Sequence, residues 1–313
     1  MPTHPMLSTR PVFVVGMGRS GTTLLRSLIS MHPLLQLAPE THFLSYWMWR
    51  YRGADLSKED DFGAFWSAFT GHERFALLEL DADEVRRRIL GEGTPSFKSI
   101  FTTLLVSHAR GHGKPGWGEK TPNHFQHVDQ LFEWYPEARI VFTIRDPRGV
   151  VASWLRLERR WTQRPIDEIA ASWRESIYEA DRWTGDRRVR IVRYEDLLRD
   201  ADGELRSLFD FVGVDFPAAE FAARDRVAAE AGARPGPDGV VNAEATDRWR
   251  ETLTPAQIAA AERRVGYEML RHGYEPDSEV PSFAGLRSAA KRRLYLLRRT
   301  RHAMRRASSS PPT

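Results

Sequence analysis

Short β-rich runs alternate with longer stretches of helical period along this chain. That pattern predicts a parallel sheet in an α/β fold. Val12–Val15 is the first run; it opens into Gly16–Gly21, and a helix follows from about Thr22 to Met31, ended by His32-Pro33. Leu34–Leu37 reads as a second, shorter strand. Residues 42–112 read as mainly helical, with Asp83–Leu90 and Phe97–Arg110 the best-patterned pieces, and Gly111–Gly118 reads as a connector. Phe125–Tyr135 resumes a helix that Pro136 stops. Arg139–Ile144 is a strand of strong β character, and Asp146-Pro147 starts a helix running to about Arg160. A further helix over Ile166–Trp183, a strand at Val189–Val192 and a loop at Gly232–Gly239 follow. Thr254-Pro255-Ala256-Gln257 opens the next helix with a cap, a proline at the first helical position and a glutamine three residues on; Gly273 closes it.

The 313 residues, 41% hydrophobic and 28% charged, suit a soluble globular chain able to bury a full core. The absence of cysteine excludes a disulfide scaffold, a thiolate nucleophile and Cys-ligated metal sites. The formal charge of +4 invites a nucleic-acid reading, but its distribution argues against one. After Glu279 there is no acid, yet nine Arg and Lys follow; without them 37 Lys+Arg face 42 Asp+Glu, a formal −5 for residues 1–279. The expected division is therefore a main domain over 1–280 and a basic extension over 281–313. In that extension Leu286, Ala290, Leu294, Leu297 and Met304 recur at helical spacing among arginines. Two readings stand: a basic amphipathic helix meeting an anionic membrane or acidic partner, or a solvated tail packed on its own domain. Ser308–Thr313 is expected to be disordered. No run approaches the roughly 18 apolar residues of a membrane span, and Val12–Val15 is too short for a leader core, so a cytoplasmic location is expected.

Gly16-Met17-Gly18-Arg19-Ser20-Gly21-Thr22-Thr23 lies between a predicted strand and a predicted helix. That setting suits a phosphate loop, because backbone N–H groups and a helix N-terminus converge on an anion. The spacing fits G-x-x-x-x-G, but Thr22 stands where a Walker A loop has lysine, and the cation, Arg19, is inside the loop. A tight turn is the plainer alternative. Arg145 leaves the end of a predicted strand and Ser153 follows eight residues later on a predicted helix, a pair suited to a terminal phosphate.

At these residues the chain resembles the sulfotransferases that use 3′-phosphoadenosine 5′-phosphosulfate (PAPS). Arg19-Ser20-Gly21-Thr22-Thr23-Leu24 is similar to the family's 5′-phosphosulfate loop, and Arg145-Asp146-Pro147-Arg148 with Ser153 to its 3′-phosphate motif. Pro39-Glu40-Thr41 and Glu119-Lys120-Thr121-Pro122 resemble stretches of its bacterial and tyrosylprotein branch. Arg193-Tyr194-Glu195-Asp196-Leu197 and Trp249…Gly273-Tyr274 extend the likeness over about residues 11–275. Gly149 departs from it, standing where many members carry Asp.

The resemblance implies a P-loop-type parallel sheet flanked by helices, with PAPS as donor and 3′-phosphoadenosine 5′-phosphate (PAP) as product. It implies donor binding by Arg19, Ser20, Gly21, Thr22, Thr23, Arg145, Ser153 and Tyr194, with Arg248 closing over the phosphosulfate or simply forming a salt bridge. Glu40 is the expected general base, with His42 as runner-up; otherwise Glu40 caps a helix beginning at Thr41. Lys120, one of five lysines, is expected to donate to the bridging oxygen or sulfonate, and Arg19 to the 5′-phosphate and sulfonate. Glu119 is expected to pair with Lys120. The loop, Arg145 and Tyr194 follow predicted strands, as a ligand site at the carboxyl edge of an open sheet requires.

No metal is expected: His108 with His112, and His124 with His127, have helical spacing but no third ligand nearby. Phe43, Tyr46, Trp47, Trp49 and Tyr51 line an acceptor cleft or belong to the core. The acceptor is expected to carry a hydroxyl, with selectivity set by residues 42–118 and 232–246. The competing readings are a P-loop nucleotide kinase, opposed by Thr22, and a non-catalytic nucleotide-binding peripheral membrane protein, opposed by Glu40 and Lys120.

Overall fold

The computed structural model describes residues 5–157, 164–219, 221, 246–279 and 284–307. The expected loop at Gly232–Gly239 and the Ser308–Thr313 end lie outside the described residues. The chain forms two compact units, one of residues 1–145 with 183–246 and one of 146–182 with 247–313.

The first unit holds a five-stranded sheet in the order β2-β3-β1-β4-β5. Its strands are β1 (Val12–Gly16), β2 (Leu35–Ala38), β3 (Gly116–Lys120), β4 (Arg139–Ile144) and β5 (Val189–Arg193), and every pairing is parallel. Helix α1 (Thr22–Met31) joins β1 to β2, and α2 (Phe97–Gly111) precedes β3. Side chains alternate across a strand, so a sheet covered on both faces needs continuous apolar strands. On one face Val12 and Val14 pack with Leu24, Leu25, Leu28 and Ile29 of α1. On the other Phe13 meets the rings of Phe101 on α2 and Tyr135. Each fully buried Leu or Ile of this kind contributes about 1.5–3 kcal/mol.

β3 corrects the sequence reading, which made Gly111–Gly118 a connector. Glycine depresses strand propensity, yet here it permits close approach: a Cβ on Gly118 would sit 1.8 Å from Val12 O, and one on Gly116 2.6 Å from Leu35 Cδ2. The expected 125–135 helix is also altered: a 3₁₀ turn at Pro122–His127 passes into an α-helix at Val128–Trp134. The remaining predicted strands and helices appear within one to three residues of their expected ends, except that the helix from Pro147 stops at Leu155.

The second unit is helical: α3 (Pro147–Leu155), α4 (Ile166–Arg182), a short turn at Trp249–Thr252, α5 (Pro255–Arg271) and α6 (Ala284–Ala307). The cap expected before α5 forms as a full capping box between Thr254 and Gln257. Arg148, buried, is ion-paired with Asp146 at 2.7 Å and Glu262 at 2.9 Å, and its guanidinium lies 4.0 Å from the Trp249 ring centre. No helix among the described residues is long and apolar enough to cross a membrane.

Candidate active site

Strand order reverses about β1, with β3 on one side and β4 on the other, and such a switch point opens a crevice at the carboxyl ends of the strands. The loop after β1 fills that position. Gly16 (φ 139°), Arg19 (φ 73°) and Gly21 (φ 86°) all take positive φ, and Gly21 caps α1 without a side-chain hydrogen bond. The first turn of α1 holds no acid, so its free N–H groups and dipole are uncompensated. Ser20 Oγ is buried with no hydrogen-bond partner among the described residues. An orphaned hydroxyl, an open helix N-terminus and a loop arginine fit a phosphate-type anion.

Two residues just beyond the carboxyl ends of β4 and β5, Arg145 and Tyr194, wall the loop. The Tyr194 ring passes so close that a Cβ on Gly21 would lie 2.4 Å from its Cδ2. The Arg145 guanidinium stacks 4.2 Å from the Tyr194 ring centre and donates to Arg19 O at 3.1 Å. Burial, and then the charge of Arg145, press the Arg19 guanidinium below its ordinary pKa.

Across the switch point β2 and β3 deliver the second cluster. Ala38 pairs with Glu119, which places Glu40 just beyond the end of β2 beside Lys120 at the end of β3. Lys120 Nζ donates to Glu40 Oε1 at 2.5 Å and to Thr23 Oγ1 at 3.2 Å, tying the carboxylate to the first turn of α1. His42 Nε2 and Arg74 Nη1 lie 3.2 and 3.5 Å from Glu40 Oε2. Burial alone raises the Glu40 carboxyl, but the His42 hydrogen bond and the Lys120 charge outweigh it and hold the group at about 2. Burial pushes the Lys120 ammonium down, against the pull of Glu40. Glu40 does not cap a helix: a π-helical turn begins at Phe43, with His42 at its N-cap in the left-handed region.

Glu119 does not pair with Lys120 as expected. Fully buried, it accepts from Thr41 N (2.9 Å), Thr41 Oγ1 (2.5 Å) and Thr121 Oγ1 (2.6 Å), and His124 Nδ1 is 3.0 Å from its other oxygen. His124 Nε2 accepts from Leu44 N, which leaves Nδ1 as the ring nitrogen that donates, on the side facing Glu119. Burial works against the Glu119 charge, yet His124 and the two hydroxyls hold its pKa below the usual range. This network clasps the ends of β2 and β3 together beneath Glu40 and Lys120.

Arg19, Ser20, Gly21, Thr22, Thr23, Glu40, Lys120, Arg145 and Tyr194 thus gather at one sheet edge of the first unit. Ser153, buried in α3, and Arg248, heading the Trp249–Thr252 turn, belong to the second unit. Sequence reasoning missed Arg74, which reaches Glu40 from a four-residue helix with no motif around it, and Arg26 on α1, whose charge acts on Glu40 and Lys120. Of the aromatics after Glu40, Phe43 and Trp47 are buried against Phe65 and Phe69, whereas Tyr46 and Trp49 are exposed. The four histidines weighed as ligands form no metal cluster among the described residues; His108 Nδ1 and His112 Nδ1 bond Leu78 O and His108 O, each at 2.9 Å.

The model of the Sulfotransferase family matches residues 11–218, two-thirds of the chain. The chain belongs to the sulfotransferase family. This sulfotransferase is 25% identical over 306 residues to nodulation protein NoeE of Sinorhizobium fredii, covering 88% of this chain and 68% of that protein. It is 25% identical over 338 residues to the omega-hydroxy-beta-dihydromenaquinone-9 sulfotransferase Stf3 of Mycobacterium bovis, covering 91% and 80%. Protein-tyrosine sulfotransferase A of Caenorhabditis elegans is 22% identical over 307 residues, with 90% and 74% covered. Among solved structures, the sulfotransferase domain of the Synechococcus PCC 7002 olefin synthase superposes with a TM-score of 0.54 at 23% identity, over 87% of this chain and 97% of that one. The parallel α/β fold expected from the sequence is the fold of this enzyme.

Proposed function

We propose that this sulfotransferase transfers the sulfuryl group of PAPS to an acceptor hydroxyl, with Glu40 as general base. The observation that carries the reading is the Lys120 ammonium, which touches both Glu40 and Thr23 and so couples a candidate base to the anion loop. PAPS supplies an activated sulfuryl group on a phosphate leaving group. The backbone N–H groups of residues 19–23 and the Ser20 and Thr22 hydroxyls hold the 5′-phosphosulfate, and Arg19 neutralises its oxygens. Arg145 grips the 3′-phosphate, and Tyr194 fixes the loop and Arg145 together. Ser153 and Arg248 are assigned to donor contacts on the motif alone.

In the transfer a bond forms between the acceptor oxygen and sulfur while the bond from sulfur to the 5′-phosphate oxygen breaks. The acceptor proton passes to Glu40, and the charge left on the phosphate is met by Lys120 and Arg19. A carboxylate at about 2 is a weak base at neutral pH. Lys120 therefore turns from Glu40 to the departing oxygen as charge develops there, which releases Glu40 to take the proton. Thr22 stands where a Walker A loop has its lysine, and the loop's cation is Arg19 instead, which opposes the kinase reading.

The homologues' names span nodulation, menaquinone and tyrosine chemistry, so the acceptor is proposed only as a hydroxyl compound. The test is transfer of labelled sulfate from PAPS to an acceptor panel, with thermal stabilisation by PAP compared with ATP and magnesium. Turnover and preferential stabilisation by PAP are expected; preference for ATP overturns the reading. Glu40→Ala with full turnover removes Glu40 as base and leaves the donor assignment standing.

A further inference from the structure

The C-terminal helix turns its apolar stripe the wrong way for a helix that only packs on its own unit. Ser288 and Tyr295 face inward: Ser288 Oγ donates to Glu268 Oε1 at 2.9 Å, and the Tyr295 ring lies 5.9 Å from that of Tyr178. Leu286, Leu294 and Leu297 are 79%, 50% and 54% exposed. With Ala290 they recur at four, four and three residues, one face of a 3.6-residue helix, and they point to solvent. Among the described side chains, Ser288 is buried and Tyr295 half-buried on the inward side, while these three leucines face solvent.

The same helix is cationic throughout, with nine Arg and Lys and no acid over its 24 residues. Lys291 is pressed down by burial and then by the charges of Arg174 and others around it. Between α5 and α6 lies a cleft of about 530 Å³, lined by Tyr267, Arg271, Ser288, Arg292, Arg293 and Leu297 among others. Arg292 Nε is buried with no acceptor among the described residues. Asp181, whose charge interacts with Arg292, is already bound by Arg271 at 2.7 Å and His272 at 3.0 Å. The cleft therefore presents an unsatisfied cationic donor at the border of the leucine stripe, since Leu297 belongs to both.

We propose that α6 is an interfacial helix that seats the second unit on an anionic lipid bilayer. Leu286, Leu294 and Leu297 enter the boundary between headgroups and acyl chains, the arginines beside them meet the negative surface, and a lipid phosphate occupies the Arg292 cleft. Charge selects this occupant. A second copy of the helix would set nine like charges against nine, whereas an anionic bilayer neutralises them and covers the leucines at once. The proposal stands independently of the assigned reaction.

The test is co-sedimentation of the full chain with vesicles of phosphatidylcholine alone and of phosphatidylcholine mixed with phosphatidylglycerol. Binding to the anionic vesicles only, weakened by salt, is expected. Leu294→Glu/Leu297→Glu should weaken it by more than about tenfold, since each buried leucine is lost and a charge added. Arg292→Ala should weaken it about fivefold, as for one basic residue near such a surface. Leu294 and Leu297 are exposed, so circular dichroism melts of the double variant should match wild type. Equal binding to neutral vesicles, no binding to either, or a dimer in sedimentation velocity that Leu294→Glu/Leu297→Glu dissociates would each overturn the proposal.

Discussion

Lys120 Nζ lies 2.5 Å from Glu40 Oε1 and 3.2 Å from Thr23 Oγ1, so one ammonium links a carboxylate beyond β2 to the first turn of α1. The pair sits at the strand ends because β3 runs between β2 and β1, with Val14 opposite Lys120 and Ala38 opposite Glu119. The His42 hydrogen bond and this ion pair together hold the Glu40 carboxyl well below its ordinary pKa.

Removing that ammonium should alter the pH profile as well as the rate. In Lys120→Met the Glu40 carboxyl loses its strongest cationic contact, and its pKa should rise from about 2 toward the ordinary value of 4.5. The proposed base role of Glu40 requires its ionised carboxylate, so the acid limb of kcat/KM should move to higher pH. Turnover should fall about 100-fold or more through loss of charge stabilisation on the leaving oxygen. An acid limb that stays in place would dissociate Glu40 from the rate.

Glu119 acts through its neighbours. Glu119→Gln keeps the shape but puts an NH₂ among hydroxyl and imidazole donors, leaving a buried conflict worth about 1–3 kcal/mol. Thr41 and Thr121 flank Glu40 and Lys120, so kcat should fall while the dissociation constant for PAP stays near wild type. Denaturant unfolding measures the first effect and steady-state kinetics with calorimetry the second. A purely structural residue would lower the unfolding midpoint and leave kcat intact.

The loop after β1 and the strands β1, β4 and β5 are legible because each obeys local rules: β-branched runs, glycines between strand and helix, and a hydroxyl-rich helix start. β3 is not, since its glycines lower local strand propensity and serve contacts with Val12 and Leu35 made only in the folded sheet. Lys120 carries a motif signal in the sequence, whereas the strand that bears it carries none. The partnership of Glu119 with His124 and Thr41 spans up to 78 residues, so spacing in the sequence cannot show it. Arg74 was missed for the same reason, lying 34 residues from Glu40 in a helical region without periodic signal.

Gly21→Ala should separate loop geometry from overall stability. Gly21 has φ 86°, and its added Cβ would meet the Tyr194 ring at 2.4 Å. Relief requires the ring to move, which displaces the Arg145 guanidinium stacked on it. Affinity for PAP should drop about tenfold or more, given about 1–2 kcal/mol for the left-handed residue alone. Gly93→Ala, at φ 130° with open space around it, provides the control: backbone strain without loss of binding. Calorimetric titration with PAP distinguishes the two, and equal losses in both would remove the specific role of the Tyr194 contact.

Arg145 should discriminate the 3′-phosphate. A charge-assisted hydrogen bond to a phosphate contributes about 1.5–3 kcal/mol, so Arg145→Ala should weaken PAP about 10- to 100-fold. Adenosine 5′-monophosphate, which lacks the 3′-phosphate, should be weakened much less. The ratio of the two dissociation constants is the measurement; an unchanged ratio would place the 3′-phosphate away from Arg145.

Acid should destabilise the fold through the same carboxylates that build the site. Glu40 titrates at about 2 against an ordinary 4.5, and the Glu119 carboxyl is likewise held low. A carboxyl with a depressed folded pKa binds fewer protons folded than unfolded, so its contribution is complete above the unfolded value and is lost as pH falls through 4.5 toward 2. For Glu40, whose side chain is 26% exposed, the contribution is about 2 kcal/mol after solvent screening. Urea unfolding from about pH 6 to about pH 3 should show the midpoint falling in wild type and falling less steeply in Glu40→Gln, which has no carboxyl to protonate. The two curves should converge at the acid end. Parallel curves over that range would mean that the ion pair of Glu40 with Lys120 contributes nothing to the fold.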